Sequence, residues 1–302
     1  MKMIQIMKYK YVYLIFSAVL LIPGAFFLVF KGLNLSIDFS GGSLFRYEFS
    51  NPVNIPELKQ VFEDKGIVVG SIVNENPTRY AIRTKLTDVT LNNDLKQAIA
   101  AKFPGGQQLS FETVGPAVGA ETTNKAFVAL FWTMIGILLY ISYAFRNIPK
   151  PYSSFRFGAS AVVAMLHDVL MVVGIFSILG YFLKIEIDSL FITAILTVIG
   201  FSVHDTIVVF DRIRENLNKL PKSYSFEEIV NYSVVETLSR SYATSLTVVM
   251  TLLSLYVLGG ESIKIFVLAM LIGIVSGTYS SIFNASPILV IWENWISKKK
   301  QL

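Results

Sequence analysis

The chain has 302 residues, of which 53% are hydrophobic and only 16% are charged, whereas a soluble domain has about 25% charged residues. This composition excludes an ordinary cytosolic enzyme and indicates an integral membrane protein. The sequence contains no cysteine, which excludes disulfides, a thiolate nucleophile and cysteine-ligated metals. We interpret the net charge of +5 through membrane topology rather than nucleic-acid binding.

Apolar runs near the ~20 residues that a helix needs to cross the hydrocarbon core predict six transmembrane helices. The first run follows a basic N-terminus. It is about twice as long as the apolar part of a signal peptide and lacks a small-residue cleavage site, so it is predicted to be an uncleaved anchor. The fifth run is the shortest. The six runs are 11–30, 126–145, 157–179, 190–210, 243–258 and 266–292.

Lysine and arginine concentrate in alternate segments, and such an excess marks the cytoplasmic side. The two short loops of the opposite side hold only Lys184 and Lys264. Both termini are therefore predicted to be cytoplasmic. The predicted organisation is a cytoplasmic N-terminus with helix 1 over 1–30, an extracytoplasmic domain over 31–125, helices 2–6 over 126–292 with cytoplasmic loops 146–156 and 211–241, and a basic cytoplasmic tail over 293–302.

The segment 31–125 alternates between strand and helix patterns, and its acidic and basic residues balance. One strand broken by Gly41-Gly42 is predicted over 36–49. The further predictions are a helix over 56–65, strands over 67–73 and 79–86, a helix over 90–103 and a strand over 108–114. This β-α-β-β-α-β order is that of the ferredoxin-like split fold. The predicted fold class is a polytopic α-helical membrane protein whose six transmembrane helices carry a ferredoxin-like extracytoplasmic domain between helices 1 and 2.

Two aspartates lie within predicted spans, where a charged side chain costs about 2.5 to 3.5 kcal/mol and is a functional candidate by default. Asp168 lies near the middle of the third span, and Asp205 lies in the inner third of the fourth. Each could be a structural hydrogen-bonding group between helices or a proton carrier. His167 and His204 precede them directly. Because neighbouring side chains point about 100° apart on a helix, neither pair is expected to interact directly, and the spacing of a metal site is absent.

Arg240 lies at the inner edge of the fifth span. Two interpretations remain open for it. Its reach makes it a candidate counter-ion for Asp205, while an arginine at the end of a span commonly anchors the helix by extending its charge to the interface.

Small residues in the last span predict close helix packing. Gly273 and Gly277 have GxxxG spacing, and Ser202 in the fourth span is a further candidate for helix packing. Ser276, Ser280 and Asn284 follow one another at i+4 steps. Proline residues predict kinks in the first and last spans.

A run of charges follows the fourth span and is most simply a charged cytoplasmic cap with i+3 and i+4 pairs. Its members are Asp211, Arg212, Arg214 and Glu215. The sequence holds no phosphate-binding loop, no Ser/His/Asp pattern and no zinc-protease motif. It therefore predicts neither direct use of ATP nor a catalytic centre, cofactor or metal.

Residues 198–216 read Val-Ile-Gly-Phe-Ser-Val-His-Asp-Thr-Ile-Val-Val-Phe-Asp-Arg-Ile-Arg-Glu-Asn. This stretch resembles the fourth-span signature of the SecF branch of the SecD/SecF family, which belongs to the resistance-nodulation-division (RND) transporters. Ile-Asp-Phe-Ser-Gly-Gly at 37–42, Val-Gly-Pro at 114–116, Leu-His-Asp-Val at 166–169 and Thr-Leu-Ser-Arg-Ser at 237–241 support the resemblance. Two residues depart from the family pattern: His204 replaces an asparagine, and Ser36 replaces a glycine.

The resemblance implies that Asp205 and Arg240 take part in proton conduction, and we place Asp168 and His204 in the same predicted pathway. It implies a proton-driven subunit that works with SecD to promote late export of preproteins through the SecYEG channel. It also implies YajC and YidC as partners, unfolded preprotein as substrate, and the plasma membrane of a prokaryote as location. No nucleic-acid partner is expected.

Two other functions stay open at this point. The chain could be the six-helix half of an RND-type proton-driven exporter of small molecules or lipids, although such exporters usually have twelve spans. It could also be a passive scaffold of the translocon, in which case Asp205 and Arg240 would tolerate neutral replacement.

Overall fold

The computed structural model describes residues 4–299, which divide into two compact units. One unit comprises residues 34–127 and 186–189, and the other comprises the remaining described residues. Lys2, Lys300 and the last two residues of the predicted tail lie outside the described residues.

The helices and strands are numbered in chain order. They are α1 Lys10–Phe30, α2 Ile37–Ser40, β1 Gly42–Glu48, α3 Ile55–Asp64, β2 Val69–Asn76, β3 Arg79–Thr84, α4 Val89–Lys102, β4 Gln107–Val114, α5 Pro116–Ala144, α6 Ser154–Leu183, α7 Ser189–Lys219, α8 Phe226–Leu258, α9 Glu261–Ser280 and α10 Ser286–Lys299. A π-helix, Ser281–Ala285, joins α9 to α10.

The smaller unit contains a four-stranded sheet in the order β2-β3-β1-β4, with every neighbouring pair antiparallel. The predicted β-α-β-β-α-β order is therefore confirmed. Alternate residues of β1 and β3 point to one face, so Phe45 and Ile82 sit opposite one another in the register. They pack with Leu58 and Phe62 of α3 and Leu95 of α4 in a single apolar core.

Removal of an aromatic ring from this core is expected to be costly. Phe62 is fully buried and packs edge-on against Phe45, with ring centroids 5.4 Å apart. Phe62→Ala should lower the free energy of unfolding of this unit by about 3–5 kcal/mol, because the lost contacts leave a cavity. The measurement is the rate of trypsin cleavage within 34–127 in the full chain. Leu109→Ala, at an exposed position, is the control. Equal rates for both variants would contradict the prediction.

The predicted first strand over 36–49 is wrong in its first third. Residues 37–40 form the short helix α2, and the Ser36 hydroxyl caps it by accepting a hydrogen bond from the Asp38 backbone N–H at 3.2 Å. Gly41 and Gly42 then turn the chain into β1 with φ values of 73° and 120°, which favour glycine. Ser36 thus acts as a helix cap.

Six helices of the described chain are long and apolar enough to cross a membrane, as predicted. The predicted loop 211–241 is mostly helical, however. Helix α7 continues to Lys219 and α8 begins at Phe226, so only residues 220–225 connect them. A capping box, in which the Ser225 hydroxyl and the Glu228 carboxylate each bind the backbone N–H of the other residue, starts α8.

The sixth span consists of three segments. Helix α9 passes directly into the π-helix Ser281–Ala285, which passes into α10. A π-helix inserts an additional residue into the turn, which changes the direction of the side chains that follow it. The insertion lies just before Pro287, whose missing N–H cannot continue the α-helical ladder.

Candidate functional site

Asp168 of α6 is buried and accepts hydrogen bonds from three serine hydroxyls of two neighbouring helices. Ser202 Oγ of α7 donates to its Oδ2 at 2.6 Å, and Ser280 Oγ of α9 donates to the same oxygen at 2.5 Å. Ser276 Oγ, one turn before Ser280, donates to Oδ1 at 2.7 Å. The carboxyl group of Asp168 therefore joins α6, α7 and α9.

Asp205 of α7 has a similar environment of neutral donors. Ser241 Oγ of α8 donates to its Oδ1 at 2.7 Å, and Ser281 Oγ of the π-helix donates to its Oδ2. The residue is only 7% exposed. Asp205 therefore joins α7, α8 and the π-helix.

Consecutive residues of the sixth span link the two carboxyl groups. Ser280 ends α9 and binds Asp168, while Ser281 begins the π-helix and binds Asp205. On a regular helix two neighbours point about 100° apart, so they can serve acceptors on different helices. π-helical turns occur frequently at functional sites, and here the turn begins at the residue that binds Asp205.

Neither buried aspartate forms an ion pair with a lysine or arginine of the described residues. Their main partners are hydroxyl groups, which both donate and accept hydrogen bonds and can rotate. Such partners can bind a carboxylate as donors and a protonated carboxyl as acceptors. The arrangement can therefore hold each aspartate with or without its proton.

The predicted Asp205–Arg240 pair is not formed in this structure. The Arg240 side chain is exposed, and within residues 4–299 no carboxylate lies within ion-pair distance of it. Its neighbour Ser241 donates a hydrogen bond to Asp205 instead. Residues 240 and 241 point about 100° apart on α8, and in this structure Ser241 is the one that faces Asp205.

The two histidines differ from each other. His167 Nδ1 lies 3.1 Å from Asp168 Oδ1, so the expectation that this pair does not interact is wrong. The side chains diverge at Cβ, but the imidazole ring is long enough to turn back to the carboxylate. His204, in contrast, is exposed.

The predicted packing residues lie where α9 approaches α7. A Cβ atom on Gly273 would stand 2.2 Å from Val198 Cγ2, and one on Gly277 would stand 3.0 Å from Ser202 Cβ. The absence of side chains at both glycines lets α9 approach α7 closely at Val198 and Ser202. Ser202 both packs against Gly277 and binds Asp168.

The charged motif after the fourth span lies on the helical extension of α7. Arg214 pairs with Asp211 at 2.6 Å, and Arg212 pairs with Glu215, as the i+3 spacing predicts. Arg212 also binds Glu236 of α8 through two N–H groups, one of them 2.6 Å from Oε2. The motif therefore contacts a second helix and is more than a solvated cap.

Sequence reasoning missed the partners Ser241, Ser281 and Glu236. Ser241 follows Arg240 and Ser281 follows Ser280, and both of these neighbours were candidates in the sequence. On a helix, however, the next residue points in a different direction. Glu236 lay in the segment interpreted as a loop. The capping box at Ser225 and Glu228 is the sequence signal that could have extended α8 to include it.

These features define a class of protein. It is a multi-pass helical membrane protein with one small α/β unit inserted after the first span and a pair of hydrogen-bonded aspartates buried between its membrane helices.

Comparisons with known proteins identify the family within this class. Residues 94–295 match the family described as protein export membrane protein SecD/SecF, C-terminal, and residues 26–53 match the SecD/SecF GG motif. The chain belongs to the SecD/SecF family.

Full-length relatives carry the name protein translocase subunit SecF. The protein of Thermobaculum terrenum is 49% identical, with 97% of this chain and 95% of the relative covered. That of Anaerolinea thermophila is 38% identical over 98% of each chain. That of Vibrio alginolyticus is 37% identical, with 94% of this chain and 88% of the relative covered.

Two solved structures have the same fold. SecDF of Thermus thermophilus, described as a translocon-associated membrane protein, is 34% identical with a TM-score of 0.82 and covers 97% of this chain. SecDF in a form called super-membrane-facing is 32% identical with a TM-score of 0.71 and covers all of it. This chain spans 39% and 40% of those longer chains, respectively.

Proposed function

We propose that this protein acts as the SecF subunit of the Sec protein-export machinery. With SecD, it uses the proton motive force to promote late-stage export of preproteins through the SecYEG channel. The observation that carries the proposal is the pair of buried aspartates held by hydroxyl groups and linked through Ser280 and Ser281. The names of its full-length relatives favour this function over that of a small-molecule or lipid exporter.

The proposed proton pathway contains Asp205, Asp168, Arg240 and His204. Arg240 lies one residue from Ser241, which binds Asp205. Ionised Asp205 attracts Arg240, and protonation removes that attraction, so the packing of α8 on α7 changes with the protonation state. A charge that crosses the membrane releases about 2.3 kcal/mol per 100 mV, and each unit of pH difference adds about 1.4 kcal/mol.

The proposal includes a location and partners. The chain lies in the plasma membrane of a prokaryote with both termini in the cytoplasm and the sheet unit outside, where it meets preprotein. SecD, SecYEG, YajC and YidC are its proposed partners. The proposal assigns the chain no catalytic centre and no cofactor.

Asp205→Asn tests the proposal. The amide keeps hydrogen-bonding groups for Ser241 and Ser281 but cannot exchange a proton, so the proton-dependent fraction of preprotein export should fall to the level measured without a proton gradient. The assay is completion of export into inverted vesicles that contain the full complex, with and without the gradient.

Asp94→Asn, on the exposed side of α4, is the matched control and should keep full proton-dependent export. If the Asp205 variant exports as well as this control, the aspartate is not a proton carrier and the chain acts as a passive scaffold.

A further inference from the structure

The cytoplasmic ends of α7 and α8 are joined by a polar clamp. We define the Arg212–Glu236 clamp by these two residues together with Asn216 and Ser233. Arg212 Nε donates to Glu236 Oε2 at 2.6 Å, and a second guanidinium N–H binds Oε1. Asn216 Nδ2 donates to Ser233 Oγ at 3.0 Å and to Glu236 Oε2 at 3.2 Å.

The clamp specifies one rotational setting of α8 against α7. A bidentate guanidinium–carboxylate contact requires both partners in a defined orientation. Asn216 and Ser233 are buried, so their contact adds a second requirement at the same level. The two contacts therefore hold or break together: a rotation of α8 that takes Glu236 out of reach of Arg212 also moves Ser233 away from Asn216.

The same rotational setting determines which residue meets Asp205. Helix α8 runs without interruption from Phe226 to Leu258, so a rotation at Glu236 is transmitted to Ser241, five residues or ~7.5 Å further along. In the setting that the clamp holds, Ser241 binds Asp205 and Arg240 is exposed. A rotation that turns Arg240 toward Asp205 carries Ser233 and Glu236 away from their partners through the same angle.

We propose that the Arg212–Glu236 clamp is a positioning device that holds Ser241, rather than Arg240, against Asp205, and that opening the clamp gives Arg240 access to this aspartate. The clamp residues act through α8 and touch no proton-carrying group themselves. This inference deepens the function proposed above and rests on it for its biological meaning. Its structural content, a rotation of α8, can be measured separately.

The absence of native cysteine allows a direct measurement of that rotation. Thr278 Oγ1 of α9 donates to Ser245 Oγ of α8 at 2.6 Å, and Ser245 lies one turn after Ser241. A Ser245→Cys/Thr278→Cys pair should form a disulfide readily under mild oxidation in membranes when the clamp is closed. Addition of Glu236→Gln, which removes the charge pair, should lower the initial rate of cross-linking about threefold or more.

Two controls separate rotation from loss of fold. Glu215 also binds Arg212 but lies on the same helix, so Glu215→Gln removes a comparable ion pair without releasing α8 and should leave cross-linking unchanged. The second control is a Ser17→Cys/Asn284→Cys pair, which reports a contact between α1 and the π-helix that does not involve α8. In the parent chain Ser17 Oγ donates to Asn284 Oδ1 at 2.7 Å. This cysteine pair should cross-link equally in the Glu236→Gln background.

The exchanged pair Arg212→Glu with Glu236→Arg should restore rapid Ser245→Cys/Thr278→Cys cross-linking. If Glu236→Gln accumulates poorly, Arg212→Lys, which keeps the charge but cannot form the bidentate contact, replaces it with the same expectation. Equal cross-linking rates with and without the clamp would overturn the inference. That result would leave the proposed function intact, whereas normal proton-dependent export by Asp205→Asn would overturn the function whatever the cross-linking shows.

Discussion

Asp168→Leu is expected to destabilise the membrane unit severely. Three serine hydroxyls, from Ser202, Ser276 and Ser280, lose their acceptor at once, and a buried polar group without a partner costs about 1–3 kcal/mol. The free energy of unfolding should fall by roughly 3 kcal/mol or more, since part of the loss is recovered when the hydroxyls turn to backbone carbonyls of their own helices. Thermal unfolding of the purified full chain in detergent measures the change.

The matching variant Asp168→Asn separates the two roles left open for this residue. Its amide has the same shape and keeps an acceptor and donors for the serines, so the unfolding temperature should stay near that of the parent chain. If Asp168 carries protons, proton-dependent export should still be lost. Normal export by a stable Asp168→Asn protein would make the residue a structural group alone.

Gly273→Leu is expected to separate α9 from α7 and to impair both aspartate sites. Even the first carbon of a side chain would stand 2.2 Å from Val198 Cγ2 and 2.9 Å from Val198 Cβ. Val198 is fully buried and its branched side chain has little rotational freedom, so the helices must move apart. Overpacking of this kind costs about 1–3 kcal/mol, and the displacement should also reduce proton-dependent export.

Gly136→Leu is the control for this variant, because a Cβ atom on Gly136 of α5 meets nothing within 4 Å. It should unfold at or above the temperature of the parent chain. A Gly273→Ala/Val198→Ala double variant should unfold at a higher temperature than Gly273→Ala alone, because the smaller residue at position 198 makes room for the added methyl group. Equal unfolding temperatures for the two leucine variants would contradict close packing at Gly273.

Much of the fold follows from hydropathy and periodicity. The six spans are predictable because a helix in hydrocarbon must expose apolar side chains over its whole length. The β-α-β-β-α-β order is predictable because alternation and turn residues mark each element locally. The short helix that Ser36 caps was harder to predict, because a single helical turn is too short to show a periodic pattern.

The helical extensions beyond the membrane could not be found by hydropathy. Residues 211–241 carry many charges, so their mean hydropathy does not mark them as helical, although Phe226, Ile229, Val230 and Val234 recur at helical spacing and are buried on α8. Helix α7 continues to Lys219 because Arg212 and Asn216 find partners on α8. The helix α8 begins early because Ser225 and Glu228 cap it. Polar tertiary contacts, capping and the buried apolar face at the start of α8 together determine these helices.

Some features of the site were determined by the sequence alone. Asp168 and Asp205 could be recognised because an ionisable residue within an apolar span is costly and therefore conspicuous. The close approach at Gly273 was visible because small residues recur at a fixed spacing. These properties depend on one helix at a time, and the sequence contains everything that they require.

The partners of the two aspartates were decided only by the tertiary structure. Arg240 and Ser241 differ by a single step along α8, and which of them faces Asp205 depends on the rotation of that helix against α7. The contacts among several helices set this rotation, including the clamp at Arg212 and Glu236 and the π-helix at Ser281. Charge attraction favours Arg240 in a sequence-based prediction, whereas the packed helices present a serine hydroxyl.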